Sequence, residues 1–352
     1  LRQMVPMAEG FRFLLLRHPD AKGPLVEHER AEELVFPGET KSPSTVFALG
    51  LGHRFAEWDL FHSPADIVPL GLGCPWVVTV HDLMWIEAPE LASAFLPVRL
   101  VNGLWYRANF GRAIRGARRV IAISEATARA IGRVYPTEAD KVRVVHHGFD
   151  PSRHDRSRGG PRDGLDAWLP PGVRYSLIVG QGSPYKNHPR MIRAFVAAMG
   201  TRSDHKLVLV RRFSRVDSEM TELLSRPEVQ RLVVTIPHVT DEVLFTLYAH
   251  AQMLLFASLY EGFGLPAVEA MGFGLPVLAS TAEAVREVTG DAALHADPYS
   301  HDDLVAKIRS LDSDAALRAR LVEAGLRRAR EFSWERAARA TLDVYREAAG
   351  RR

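Results

Sequence analysis

The segment Ser258–Ser280, SLYEGFGLPAVEAMGFGLPVLAS, carries the strongest structural signal in this chain. Two carboxylates, Glu261 and Glu269, stand eight positions apart in it, and no other charged residue does. The apolar run that leads into it, QMLLFAS, is typical of a buried strand, and Pro266 suits the first turn of a short helix. We therefore expect Glu261 in the loop after a strand and Glu269 about one turn inside the helix.

This strand–loop–helix arrangement indicates a site for an anion or a sugar. Gly262 and Gly264 let backbone amides approach a ligand closely, and a helix start presents free N–H groups with the positive end of its dipole. A buried carboxylate needs partners, because an unpaired buried charge is costly. Sugar hydroxyls would supply such partners; the structural alternative is that Glu269 belongs to an internal polar network and Glu261 is solvated.

Composition places the chain among ordinary globular proteins. It has 352 residues, 47% of them hydrophobic and 25% charged, which is long enough for two domains. The sequence contains no run of eighteen apolar residues, so we expect no membrane-spanning helix. The single cysteine, Cys74, suits a reducing compartment. A net charge of +3 is too small to indicate a nucleic acid partner, and the absence of clustered metal ligands in the sequence predicts no metal site.

Short apolar runs alternate with helix-like segments along the whole chain, which predicts an α/β protein with parallel sheets covered on both faces. The runs predicted as strands are FRFLLLRH, STVFAL, DLFHSP, PWVVTVHD, RRVIAIS, KVRVVHHG, YSLIVGQG, HKLVLVRR, RLVVTIPH, QMLLFAS and PVLAS. We expect two Rossmann-like, doubly wound domains that face a cleft, with ligands beyond the carboxyl ends of the strands.

A composition change divides the two halves. Residues 151–171 are rich in Gly, Pro, Arg and Asp and are predicted to be a linker between a domain at 1–150 and a domain at 172–331. Ser124 is predicted to cap the helix-like segment EATARAIGRVY. Residues 332–352 are predicted to form a last helix, capped by Ser333, that packs back on the N-terminal domain.

The motif EGFGLPAVEA resembles the E-x7-E signature of the family-4 glycosyltransferases, retaining enzymes of the GT-B fold. GQGSPYKNHPRMIRAF, HDLMWIEAPE, RVIAISEATA, VRVVHHGFD and EVTGDAALHADP are similar to family segments in the same order, so the resemblance covers nearly the whole chain beyond residue 11. HDLMWIEAPE favours the mannosyltransferase-like branch. The resemblance makes 1–150 the acceptor-side domain and 172–331 the domain that binds the nucleotide-sugar.

The resemblance assigns roles to the two carboxylates and the loop between them. Glu269 would bind the ribose of the nucleotide, and Glu261 would contact hydroxyls of the donor sugar. The donor-binding residues beside them are Gly262, Phe263, Gly264 and Leu265, with backbone amides that meet the sugar and the diphosphate.

Two further candidate catalytic residues come from other segments. Lys186, which follows the turn at Gly180–Gly182, matches the lysine that pairs with the diphosphate, and Gly182 is counted with the donor site. A compact cation suits this position because negative charge develops on the β-phosphate as the glycosidic bond breaks. His81 matches the position that reaches the donor sugar from the N-terminal domain; the alternative is a structural histidine at a strand end, as we expect for His146 and His147.

The chain departs from the family pattern in two places. Gln181 and Tyr185 stand where many relatives carry arginines, and we expect Arg211 or Arg212 to replace the missing cation on the diphosphate. Relatives also open with a strand and a glycine-rich loop, whereas LRQMVPMAEG is similar to the end of the helix that follows that loop. The first strand is therefore expected to be missing from residues 1–150.

The function implied is that of a retaining, metal-independent hexosyltransferase without a cofactor. It would use GDP-mannose or a UDP-hexose, and its acceptor would be a glycan, a lipid-linked sugar or a small molecule in bacterial glycan, polysaccharide, glycolipid or metabolite synthesis. The alternatives are a catalytically degenerate nucleotide-sugar-binding protein and a GT-B sugar-nucleotide epimerase. A glycogen-type phosphorylase is less favoured, because the sequence shows no lysine in a context typical of pyridoxal phosphate binding.

One basic segment raises the question of a membrane. WYRANFGRAIRGARRV is either a solvated helix face or a patch for anionic lipid headgroups or a phosphorylated acceptor, and its arginines are Arg107, Arg112, Arg115, Arg118 and Arg119. We expect a cytoplasmic protein, with peripheral contact at the inner face of the membrane as the alternative.

Overall fold

The computed structural model describes residues 1–38, 42–53, 55–93, 95–150, 159–202, 204–212 and 218–350. The chain divides into two compact units. The domain boundaries expected from the sequence remain a prediction. Unit 1 consists of Leu1–Glu87, Leu100–Gly148 and Ser333–Arg352, and unit 2 consists of Ala88–Arg99 and Phe149–Phe332.

The strands of the described residues all pair in parallel, which confirms the predicted α/β class. They are β1 Phe13–Arg17, β2 Ala31–Val35, β3 Phe61–Ser63, β4 Trp76–Val80, β5 Arg119–Ala122, β6 Val142–Val144, β7 Arg174–Gln181, β8 His205–Arg212, β9 Val233–Ile236, β10 Leu254–Phe256, β11 Val277–Ser280 and β12 Leu294–Ala296.

The helices follow the capping signals of the sequence. Ser124 and Ser333 each accept a hydrogen bond from a backbone N–H of the first turn, as predicted for these caps. The helices are α1 Met4–Met7, α2 Pro43–Gly52, α3 Met84–Glu87, α4 Pro89–Ala92, α5 Leu96–Gly116, α6 Glu125–Val134, α7 His188–Met199, α8 Ser218–Ser225, α9 Pro227–Leu232, α10 Asp241–His250, α11 Leu265–Gly272, α12 Glu283–Thr289, α13 His301–Ser313, α14 Ala315–Ala329 and α15 Trp334–Ala349.

Unit 2 is a six-stranded sheet with the order β12-β11-β10-β7-β8-β9. Its core contains fully buried side chains from the strands and from α7 and α13, among them Phe195, Leu207 and Ile308. The first strand of the unit, β7, lies beside the fourth, β10, so the strand order reverses between them. Such a reversal is the topological switch point, where open α/β sheets bind ligands beyond the carboxyl ends of their strands.

Unit 1 contains a four-stranded sheet, β3-β4-β5-β6, and the pair β1-β2. The last helix, α15, packs on the four-stranded sheet: Leu342 and Tyr345 share a buried cluster with Val77 of β4 and Ile121 of β5. The apolar side of α15 is thereby buried against the sheet.

Three strand assignments from the sequence need correction. STVFAL was predicted as a strand but lies in α2, where Ser42 accepts from the N–H of Thr45 and Pro43 occupies the first turn. A short apolar run fits a buried helix as well as a strand, and here the cap decides. The strand β2, AEELV, was missed because its two glutamates hide the apolar alternation, and β12, LHA, was missed because three residues are too few to show a pattern.

Candidate functional site

The switch point of unit 2 joins two loops by backbone and side-chain hydrogen bonds. The N–H of Leu259, after β10, donates to the carbonyl of Tyr185, after β7, at 2.7 Å. Asn187, held in the left-handed region at φ 57°, donates through Nδ2 to the carbonyls of Ala257 and Pro298 at 3.0 and 2.9 Å. These bonds fix the loops against each other, so the side chains they carry are positioned before any ligand arrives.

Lys186 and Glu261 form an ion pair between these loops. Nζ of Lys186 lies 2.6 Å from Oε1 of Glu261, and the two side chains are 11% and 10% exposed. The ammonium also lies over the rings of Tyr185 and Phe256, at 5.0 and 5.6 Å from the centroids. Cation–π contacts and a mostly buried carboxylate stabilise a charge that would otherwise be costly to desolvate.

The loop after β10 ends at the N-terminus of α11. Gly264 is its cap, with φ 117°, a backbone conformation that favours glycine. Leu265 and Pro266 open the helix as the sequence predicts, and Phe263 is buried with its ring 5.5 Å from that of Phe332. Pro266 has no N–H, and those of Ala267 and Val268 donate to the carbonyl of Gly264 at 3.0 and 3.4 Å. Among the described residues of this first turn, the N–H of Leu265 is the donor left for a phosphate or a sugar hydroxyl.

Glu269 has a partner that the sequence did not reveal. The hydroxyl of Tyr248, on α10, donates to Oε2 of Glu269 at 3.1 Å, and the Tyr248 ring stacks on that of Phe273 with centroids 5.5 Å apart. Burial, with the negative charge of Glu269 as a second cause, raises the pKa of Tyr248 well above its usual value. Tyr248 thus stays a hydrogen-bond donor at neutral pH and orients the carboxylate.

Arg211 lies against Gly182 in the same region of unit 2. It is 2% exposed, and a Cβ added at Gly182 would stand 2.4 Å from its Nε. Residue 182 therefore has to be glycine for the guanidinium to occupy this place, four residues before Lys186. That Arg211 replaces the missing cation stays a prediction, and the side chain of Arg212 lies outside the described residues.

In unit 1, His81 is held by an aspartate that sequence reasoning missed. Asp66 is buried, and its Oδ1 accepts from the backbone N–H of His81 at 2.6 Å and from Nδ1 of the same ring at 3.2 Å. A carboxylate only accepts, so the Nδ1 that faces Asp66 carries a proton. Asp66 has φ 64°, which is uncommon outside glycine, and its own N–H donates to Thr79 at 2.9 Å.

Two more histidines surround this pair. His62 links Tyr345 of α15 to Thr79 of β4, with ring nitrogens 2.6 and 2.8 Å from the two hydroxyl oxygens. Burial, followed by the charge of His81, lowers the pKa of His62 to about 4. The ring of His147 lies 5.6 Å from that of His81, and burial lowers its pKa to about 4 as well. Both rings are therefore neutral at pH 7.

The arginines of α5 and its C-terminal end are partly explained by internal contacts. Arg112 donates to the backbone carbonyls of Val68 and Pro69, Arg119 pairs with Glu347 at 2.8 Å, and Arg115 lies over the ring of Tyr135. These internal contacts give the three side chains structural roles, so a patch for lipid headgroups is not needed to explain them.

The described residues contain neither a metal-binding cluster nor a membrane-spanning helix. No group of three or more His, Cys, Asp or Glu side chains is placed to hold a metal ion in that part of the chain. No helix in the same residues is both long and apolar enough to span a bilayer. The absence of a metal from the reaction stays a prediction.

Comparison with known proteins places the chain among enzymes of sugar transfer. A model described as "Glycosyltransferase Family 4" matches residues 9–153, and one described as "Glycosyl transferases group 1" matches residues 168–328. The chain is 32% identical over 334 residues to an MMP alpha-(1->4)-mannosyltransferase of Mycolicibacterium hassiacum, covering 90% of this chain and 77% of that protein. It is 28% identical over 288 residues to O-antigen chain mannosyltransferase B of Escherichia coli, covering 82% and 74%.

A solved structure shares the fold. HepE of Anabaena, in complex with UDP-glucose, is similar with a TM-score of 0.66 and 21% identity, over 82% of this chain and 78% of that one. The predicted fold of two Rossmann-like, parallel-sheet units is thereby confirmed.

Proposed function

Because this chain belongs to the family-4 glycosyltransferases, we propose that it moves a hexose from a nucleotide diphosphate sugar to an acceptor hydroxyl with retention at the anomeric carbon. The observation that carries the proposal is the Lys186–Glu261 ion pair at the switch point, beside the N-terminus of α11. A cation, a carboxylate and the N-terminus of a helix at one sheet edge match a diphosphate joined to a sugar.

Lys186 and the start of α11 would bind the diphosphate. As the bond between the anomeric carbon and the β-phosphate oxygen breaks, negative charge grows on that oxygen, and an ammonium already fixed by its surroundings stabilises it. Without donor the charge of Lys186 is balanced by Glu261 at 2.6 Å. When the donor binds, the ammonium would shift to the phosphate, and Glu261 would accept from sugar hydroxyls.

Glu269 would accept from the ribose hydroxyls of the nucleotide. Its orientation would come from Tyr248, whose hydroxyl occupies one carboxylate oxygen. A carboxylate that is already oriented loses less entropy when it binds a diol, so part of the donor affinity would depend on a residue that never touches the ligand.

Retention needs bond formation on the face from which the leaving group departs. The acceptor oxygen would form its bond to the anomeric carbon while its proton passes to the departing diphosphate, which needs neither a metal ion nor a cofactor. His81, whose backbone and ring are both held by Asp66, would contribute from unit 1 by binding the donor sugar.

Mannose is the first choice for the sugar, and hence GDP-mannose for the donor, because both of the relatives named above are mannosyltransferases. UDP-hexose is the second choice, since a protein of the same fold binds UDP-glucose. The single cysteine, Cys74, is a buried free thiol, which suits a reducing compartment, so we place the reaction in the cytoplasm.

The test is calorimetry with GDP and UDP, followed by measurement of nucleotide release from GDP-mannose and UDP-glucose with a panel of sugar acceptors. We expect turnover with one donor, unchanged turnover with a chelator, and an α-linked product by NMR from an α-linked donor. Glu261→Gln with Glu269→Gln should lose at least about 100-fold in turnover, while Glu228→Gln, exposed on the same unit, should not.

Other outcomes separate the alternatives. Nucleotide binding with no release from either donor would support a degenerate binding protein. Conversion of the donor sugar to its epimer without release would support an epimerase. A β-linked product would contradict retention.

A further inference from the structure

The N-terminal half of α5 presents apolar side chains to solvent. Leu100, Val101 and Leu104 are 59%, 67% and 72% exposed, and Phe47, on α2 of the same unit, is 51% exposed. The rings of Phe47 and Trp105 lie 6.2 Å apart, so α2 and α5 are neighbours here. Leu100, Val101, Leu104 and Phe47 are called the apolar stripe below.

The stripe reverses the usual pattern of a surface helix. Side chains at i, i+1 and i+4 lie on one side of a helix, and the outward side normally carries charged or polar residues. On α5 the buried residues begin only at Asn109, and the exposed side of the preceding turns is leucine and valine. A contiguous exposed apolar surface of this kind marks an interaction site.

The charges around the stripe identify its partner. In unit 1, residues 100–110 contain one arginine, Arg107, and no carboxylate, and α2 carries no charged residue. Arg107 is exposed about one turn beyond Leu104, and its long hydrogen bond to the carbonyl of Ile86, at 3.5 Å, is weak. An apolar surface bordered by a cation suits the boundary between acyl chains and anionic headgroups. A second copy of this chain fits less well, because self-pairing would bring arginines together with no carboxylate to offset them.

We infer that the apolar stripe docks unit 1 on a lipid bilayer that carries anionic headgroups. Leu100, Val101 and Leu104 enter the headgroup–acyl boundary, and Arg107 stays at headgroup level. This differs from the arginine patch considered from the sequence, because Arg112, Arg115 and Arg119 make internal contacts. The inference does not depend on the proposed reaction, since it concerns the protein without donor or acceptor.

The experiment is co-sedimentation of the full chain with vesicles of phosphatidylcholine and phosphatidylglycerol, at low salt, against vesicles of phosphatidylcholine alone. We expect binding to the anionic vesicles, and Leu100→Gln with Leu104→Gln should reduce the partition coefficient by about tenfold or more. Arg107→Gln should reduce it about fivefold, and only on the anionic vesicles. Val101→Gln should also weaken binding, and Val35→Gln, at an exposed valine on β2 of the same unit, is its matched control and should bind as the unchanged protein does.

Three results would overturn the inference. The unchanged protein could remain in the supernatant, or the leucine variant could sediment as well as the unchanged protein. Alternatively, light scattering could show a dimer that the leucine variant abolishes, which would assign the stripe to a second copy. The melting temperature of each variant shows that it is folded, and nucleotide release by the leucine variant keeps this test separate from the test of the reaction.

Discussion

The Lys186–Glu261 pair of unit 2 and the Asp66–His81 pair of unit 1 each follow a strand of a parallel sheet, yet their surroundings differ. The first is an ion pair shielded by two aromatic rings, and the second is flanked by histidines that burial keeps neutral. In unit 2 an ammonium is paired with a carboxylate. In unit 1 the hydrogen-bonding direction of an imidazole is fixed instead.

This difference suggests that the two pairs have different tasks in glycosyl transfer. Stabilising the leaving diphosphate needs charge, which a low-dielectric site makes effective. Binding neutral sugar hydroxyls needs donors and acceptors with defined directions, for which a ring held in one orientation suffices.

Removal of the cation should have the largest consequence. Lys186→Ala should lower kcat/KM by about 1000-fold, because one preorganised group at a developing charge contributes about that much. Lys186→Arg keeps the charge with a different shape and should recover part of the loss. Steady-state kinetics with the identified donor measures both. An unchanged kcat with only a raised KM would show that the cation binds the donor equally in the ground state and the transition state.

Asp66→Asn should lower kcat/KM for the donor by about 100-fold, because the His81 that it positions would bind the donor sugar. Asparagine tolerates the positive φ of this residue and can still accept one hydrogen bond, but it no longer favours the protonated Nδ1 of His81. The pH profile of kcat/KM should shift in the variant, whereas a merely structural defect would lower activity equally at every pH. An unshifted profile would remove Asp66 from the positioning of His81.

Acidification should destabilise unit 1. The pKa of His62 is about 4 in the folded chain, below its usual value of 6.5, so the unfolded chain binds more protons as the pH falls between them. The stability contributed by the neutral ring is complete above about pH 6.5 and decreases toward pH 4. Between pH 7 and pH 5 this amounts to about 2 kcal/mol for His62.

Denaturant unfolding at pH 7 and pH 5 measures this effect. The pH dependence should be smaller in His62→Gln, and His18→Gln, at an exposed histidine of the same unit, serves as the matched control. A variant that keeps the full pH dependence would show that other groups cause it. Tyr345→Phe removes one partner of the ring and separates loss of the hydrogen bond from loss of the titrating group.

The smallest effect is expected for Tyr248→Phe. It removes one hydrogen bond to Glu269 and keeps the stack on Phe273, so nucleotide affinity should fall by about tenfold or less. Calorimetry with the preferred nucleotide measures this, and kcat at saturating donor should stay near that of the unchanged protein. A loss of kcat without a loss of affinity would contradict the role of Tyr248 in donor binding.

Much of unit 2 could be predicted because its signals are local. HKLVLVRR is β8 from end to end, Pro266 lies in the first turn of α11, and Glu261 and Glu269 stand on the loop and the helix where the motif places them. The same reasoning failed at STVFAL, where Ser42 and Pro43 begin a helix that an apolar run of six residues could not distinguish from a strand.

The amino-acid sequence by itself determined the parallel α/β class, the caps at Ser124 and Ser333 and the glycine-flanked start of α11, because periodicity, capping and left-handed backbone are decided within a few neighbouring residues. Only the tertiary structure decided the partners: Tyr248 for Glu269, 21 positions away, Asp66 for His81, 15 away, and Tyr345 for His62, 283 away. The side chains of such partners carry no pattern in the chain, since they meet only after sheets and helices have packed. The polar contacts that would orient the reacting groups are therefore a product of packing, while the positions of the groups themselves follow from local rules.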